Sequence, residues 1–137
     1  MSTAALRARY LSDAVTTATP ARLLVMLYDK LVLDLTQAEE ALRAGDRGVA
    51  SGRLIHAQDI VAELLSSLEA EAWEGGKALS SLYVYITTEL AQSNVTADPD
   101  RVAACRGHVE PLRDAWRTAA EQVAQSTTLA GVTSGVA

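Results

Sequence analysis

The sequence predicts an all-α protein, an antiparallel four-helix bundle with a short N-terminal helical arm. Three observations lead there. Apolar residues recur at three- and four-residue steps through four long segments, with little strand-like alternation anywhere. Two segments open on the same signature, Thr19-Pro20 and Asp98-Pro99, in which a capping side chain precedes a proline whose missing N–H costs nothing at a first helical position. Aromatic residues make up only 4% of a chain that is 49% hydrophobic, and Phe is absent. Such a core is built from Leu, Val, Ile and Ala, and small aliphatic side chains suit closely packed helices. At 137 residues there is room for one core and no second.

The first long helix is expected from Thr19-Pro20 to Gly45, with Leu23, Leu24, Leu27, Leu31, Leu35, Ala38 and Leu42 as its stripe. Gly45 supplies the stop because it enters the left-handed region without a Cβ penalty. Asp46 caps the second helix, placing negative charge at the positive end of the helix dipole. That helix carries Val49 or Ala50, Leu54, Ala57, Ile60 or Val61, Leu64, Leu65 and Leu68 inward, and ends before Gly75-Gly76. The third runs from about Lys77 to Ser93, with Leu79, Leu82, Tyr83, Ile86 and Leu90 on one side and Asn94 as its C-terminal cap. The fourth starts at Asp98-Pro99 and carries Val102, Cys105 or Arg106, Val109, Leu112, Trp116, Ala119 or Ala120, and Val123. Pro111 lies within it and predicts a bend, not a break, because the periodicity continues past it. Short connections between such helices give an antiparallel bundle. The expected division is an arm over 1–18, the bundle over 19–125, and a flexible, uncharged tail over 126–137.

Composition excludes several functions. A net charge of -5 argues against nucleic acid as a main partner. The single cysteine allows neither an internal disulfide nor a cysteine-based zinc site, and a reducing cytoplasmic compartment is the default. No segment has signal-peptide character, and the most apolar run, Leu23 to Tyr28, is far short of the roughly 18 residues a membrane span needs, so no membrane insertion is expected. Neither His56 nor His108 follows a glutamate by three positions, as bundle di-iron sites require. No phosphate loop, nucleophile elbow or paired-carboxylate pattern is present. No enzyme activity, metal or cofactor is expected. A histidine phosphotransfer module is weighed on His56, but Asp59, three positions on, would repel a phosphoryl group.

The segment from Tyr10 to Tyr28 reads YLSDAVTTATPARLLVMLY. A tyrosine in the arm, Ala-Thr-Pro at a helix start and Leu-Leu-x-Met-Leu-Tyr-Asp after it resemble the flagellin export chaperone family, FliS. Ala57-Gln58-Asp59-Ile60, Leu82-Tyr83-x-Tyr85-Ile86, Ser93-Asn94 and Val109-x-x-Leu112-x-Asp114-Ala115-Trp116 match the rest of that pattern in order and spacing. Lys30 departs from it, standing where the family often has glycine, and Ala78-Leu79-Ser80-Ser81 lacks the usual asparagine.

The resemblance implies a non-catalytic, cytoplasmic helical chaperone. It would bind the disordered C-terminal segment of flagellin, prevent premature polymerisation and deliver the subunit to components of the flagellar type III export gate. A weak homodimer, in which a second copy fills the groove, is the other reading of exposed apolar surface. On this implication the partner-binding candidates are Tyr10, Met26, Asp29, Ile55, Gln58, Asp59, Tyr83 and Tyr85. Tyr10 is either a groove cover or an anchor for the arm. Met26 lies in an apolar stripe, and Asp29 follows that stripe where a core face does not want a charge. Ile55 falls off the main stripe of the second helix, beside Gln58 and Asp59. Tyr83 and Tyr85 are two apart and cannot share a helix face, so one belongs to the core and the other to a groove or its rim.

Overall fold

The computed structural model describes residues 3–6 and 19–136, with side chains as far as 126. Four long helices follow in order: α1 (Pro20–Arg43), α2 (Arg47–Ser67), α3 (Gly76–Thr96) and α4 (Pro99–Val136). Residues 3–6 are also helical, and no strand occurs among the described residues. The all-α expectation holds. The chain divides into two compact units, Leu27–Glu110 and Met1–Met26 with Pro111–Ala137.

Local chemistry sets the helix ends much as the sequence reading has it. Thr19 Oγ1 accepts from Arg22 N at 3.2 Å and caps α1. At the other end Gly45 sits at φ 79°. Asp46 N then donates to Ala41 O at 2.8 Å and Gly45 N to Leu42 O at 3.1 Å, the paired bonds of a Schellman stop. Asp46 immediately caps α2, its carboxylate accepting from Val49 N at 3.1 Å. One residue thus ends a helix and begins the next, which makes the α1–α2 turn very short. Asp98 Oδ1 accepts from Asp100 N at 3.0 Å at the head of α4.

Several boundaries differ from expectation. Helix α2 ends at Ser67, so Leu68, placed in its stripe, is the C-cap. Asn94 does not cap α3; the helix continues to Thr96, and Ala97 takes the left-handed conformation at φ 53°. Asn94 instead donates to Ser51 Oγ at 3.2 Å, joining α3 to α2. Helix α4 runs unbroken through Pro111 and on to Val136, past the expected bundle end at 125. Val123, placed in the stripe of α4, is exposed, and Trp116 is only half-buried.

Within Leu27–Glu110 the helices alternate in direction. Arg47, at the start of α2, donates to Asn94 O and Val95 O at the end of α3. Glu89 of α3 pairs with Arg101 of α4 at 3.2 Å, and Arg43 of α1 with Asp100 of α4 at 3.0 Å. Each contact ties the end of one helix towards the beginning of its neighbour, which is the antiparallel bundle of the sequence reading. The core is aliphatic: Leu31, Leu35, Leu54, Val61, Leu64, Ile86, Leu90, Val102 and Val109 are fully enclosed. In α1 the buried face is Val25, Tyr28, Leu31, Leu35 and Ala38, so Leu24 and Leu27 of the expected stripe turn to its edge. A 3.6-residue period drifts against simple three- and four-residue steps, and Tyr28 takes the inward position.

Gly76 is held by its surroundings. A Cβ there would lie 2.2 Å from Ala70 O, a backbone atom that cannot swing aside. Gly76→Ala is expected to cost about 3 kcal/mol by urea denaturation, in the range of overpacking and backbone strain. A cost below about 0.5 kcal/mol would show that the 68–75 loop relaxes freely.

Candidate functional site

Polar groups inside the bundle are few. Tyr28 of α1 and Tyr83 of α3 are buried, with their hydroxyls 2.5 Å apart. Burial, and then the hydrogen bond with Tyr28, push the Tyr83 phenol well above its ordinary range, so Tyr83 is a neutral core member. Tyr83 is therefore withdrawn from the partner-binding candidates: a ring enclosed in the core presents no surface to a partner. Tyr85 is the exposed member of the pair, its ring edge-on to His108 with centroids 5.9 Å apart.

Asp34 is the unforeseen residue. Its carboxylate is fully buried on the α2 side of α1. Oδ2 is bonded to His56 Nδ1, and Oδ1 faces Lys30 Nζ at 3.5 Å and Arg53 Nη1 at 3.8 Å. The cationic groups lie nearer the surface and keep their hydration while the carboxylate is dry. The signal was present in the sequence: Asp34 stands three residues after Leu31 and four before Ala38, on the buried stripe itself. His56 is thus engaged in an interhelical pair.

A second charged cluster lies on the α1–α4 side. Glu39 accepts from Arg43 at 3.0 Å and from Arg106, which also pairs with Glu110 at 3.1 Å. Burial alone raises the Glu39 carboxyl, but the hydrogen bonds and charges of Arg43 and Arg106 outweigh it and hold the group below its ordinary value. These residues, with Val32, Thr36 and Glu40, line an open hollow of about 420 Å³. Cys105 is buried, and desolvation followed by the nearby Glu89 charge pushes its thiol up to about 11, which makes it a packing residue without nucleophilic character. Among the described residues no three His, Cys, Asp or Glu side chains are grouped to hold a metal ion.

The other predicted site residues distribute unevenly. Ile55 is exposed, and Gln58 and Asp59 are half-buried beside it on the outward side of α2. Gln58 bonds its own helix at Leu54 O, 3.3 Å away. Met26 is half-buried and Asp29 exposed, both on α1. Ile55, Gln58 and Asp59, three and four positions apart, share one side of α2. Tyr10 lies outside the described residues.

Comparison with known proteins decides the family. The family model described as "Flagellar protein FliS" matches residues 2–123. The chain belongs to the FliS family. It is 33% identical over 110 residues to the Flagellar secretion chaperone FliS of Bacillus subtilis (strain 168), covering 80% of this chain and 82% of that protein. It is 29% identical over 102 residues to the Flagellar secretion chaperone FliS of Vibrio cholerae serotype O1 (strain ATCC 39315 / El Tor Inaba N16961), covering 72% and 74% of the two chains. A crystal structure described as that of a flagellar chaperone from bacteria superposes with a TM-score of 0.70 at 21% identity, covering 85% of this FliS-family chain and 96% of that one. That likeness supports the fold.

Two outcomes follow from the charged clusters. Asp34→Asn is expected to lose about 2 kcal/mol in urea melts, less than for a wholly buried pair because the cations keep water. For Glu39, the lowered folded-state value means that its stabilisation is present above the ordinary carboxylate value of 4.5 and is lost as pH falls through the folded value. The stability gap between the parent chain and Glu39→Gln should narrow from pH 7 to pH 3; a gap that widens on acidification would reverse the sign of the pairing.

Proposed function

We propose that this chain is a flagellar secretion chaperone that binds the disordered C-terminal segment of flagellin in the cytoplasm. It holds that segment out of premature polymerisation and passes the subunit to the flagellar type III export apparatus. One observation carries the reading: a relative sharing a third of its residues over four-fifths of this chain is named a flagellar secretion chaperone. Features of the molecule are in keeping with it. No helix among the described residues is long and apolar enough to cross a membrane. Large apolar side chains stand exposed on α2 and α3, including Ile55 and Tyr85.

The mechanism needs binding alone. A disordered apolar segment gains buried area when it folds on a helical surface and loses ordering entropy in the process, so affinity stays moderate relative to area. Release then requires no chemistry by the chaperone. Ile55, Gln58 and Asp59 are the proposed α2 contacts, with Tyr85, Met26 and Asp29 on further faces and Tyr10 contributed by the arm.

Calorimetric titration with the roughly 40-residue C-terminal segment of the cognate flagellin tests this, a length suited to a wrapped, coupled-folding client. Saturable 1:1 binding with a negative heat-capacity change is expected, weakened about tenfold by Ile55→Ala. No heat at several temperatures with the chain folded would end the chaperone reading for this client.

A further inference from the structure

The two histidines are set in different surroundings. His108 is exposed on α4, its ring edge-on to Tyr85, and no carboxylate bonds it among the described residues. His56 is tied to α1 through the bond between its Nδ1 and the Asp34 carboxylate. An ionised carboxylate only accepts, so Nδ1 is the donor and carries a proton. In the neutral ring the lone pair is thereby fixed on Nε2. Asp34 is wholly enclosed, while a third of the His56 side chain is open to solvent. Nε2 has no hydrogen-bond partner among the described residues, and it is not one of the enclosed polar atoms. The inner edge of the ring is thus held and the outer nitrogen is accessible.

An imidazole oriented in this way presents its free nitrogen as a ligand or as a nucleophile. A metal is the poorer fit, because no further His, Cys, Asp or Glu side chains complete a group of three among the described residues. A phosphoryl group asks for less. It needs one nitrogen, a carboxylate to face the positive charge that the ring gains, and cations for its own oxygens. Asp34 meets the second need. Lys30 Nζ and Arg53 Nη1 meet the third: they stand 3.5 and 3.8 Å from the other Asp34 oxygen, with side chains 38% and 42% exposed. Asp59, three positions along α2, is the opposing charge seen in the sequence. The fold brings Lys30 of α1 to join Arg53 against it.

We propose that His56 is a phosphoryl-acceptor site, which takes the group on Nε2 from an acyl phosphate or a phosphoramidate. The Nε2 lone pair attacks phosphorus. An N–P bond forms as the donor's P–O or P–N bond breaks, and that electron pair leaves on the carboxylate or on the free amine of the zwitterionic donor. The ring becomes positive and faces Asp34, whose carboxylate can take the Nδ1 proton. Atoms and charge balance without an oxidant or reductant. The site is independent of the chaperone reading, since it needs no flagellar client.

The experiment incubates the full chain with potassium phosphoramidate at neutral pH. Phosphohistidine is mapped by mass spectrometry without acid, and its isomer is assigned by phosphorus NMR. The expected product is one phosphoryl group per chain, on Nε2 of His56, formed about tenfold faster than any on His108. Asp34→Asn is expected to slow labelling about tenfold, because an amide can donate to Nδ1 and drive the ring proton onto Nε2. Should circular dichroism show that Asp34→Asn has lost helix, Arg53→Gln is the second variant, at a half-exposed position, and is also expected to label more slowly. Labelling of His108 as fast as His56, an Nδ1 product on His56, or no label at all would overturn the proposal. So would parent-rate labelling of folded Asp34→Asn, or of Arg53→Gln where that variant replaces it.

Discussion

Burial of a nearly pure aliphatic core is the constraint on which Leu27–Glu110 depends. With Leu, Ile, Val and Ala as filling, helices must approach closely, and few polar groups can be admitted between them. At about 25 cal/mol per Å² of apolar area, this burial is the main favourable term in a chain whose single cysteine allows no internal disulfide. Two groups of polar side chains enter it. Tyr28 meets Tyr83, and Asp34 is surrounded by His56, Lys30 and Arg53. The Tyr28–Tyr83 and Asp34–His56 pairings cross between helices, so they add directional specificity to contacts that are otherwise non-directional.

The caps supply a complementary constraint. Asp46 closes α1 and opens α2 within one residue, and Arg47 beside it reaches the last carbonyls of α3. Charge pairs then fasten α4 to α1 and α3 at Asp100 and Arg101. Charged side chains thus gather at the helix ends and on the α1–α2 and α1–α4 sides. The outward face of α3 receives almost none. A bundle stabilised in this way can leave apolar surface open on one side without weakening its core.

Much of this was legible in the sequence. Thr19-Pro20, Gly45-Asp46 and Asp98-Pro99 act through bonds to residues three to five positions away, so their outcome depends on little beyond the local chain. The inward stripes of α2 and α3 were also readable, because a core face must repeat at helical spacing. Asp34 was not singled out, since a lone acid among leucines reads as surface until the partner helix brings His56 and Arg53 to it. Asn94 was misplaced for a related reason: its amide found Ser51 on α2, a partner remote in sequence.

For the candidate site the division is sharper. The sequence alone determined that one of Tyr83 and Tyr85 must be interior and that Ile55 lies off the main stripe. Tyr83 turns inward with Leu79, Ile86 and Leu90, and only the tertiary structure brings the Tyr28 hydroxyl of α1 to it. The exposure of Val84 and Val95 on α3 was hidden because valines at helical spacing look the same whether they face a core or the solvent. Helical periodicity specifies which residues share a face; only packing against the other helices decides which face is covered and which is left open.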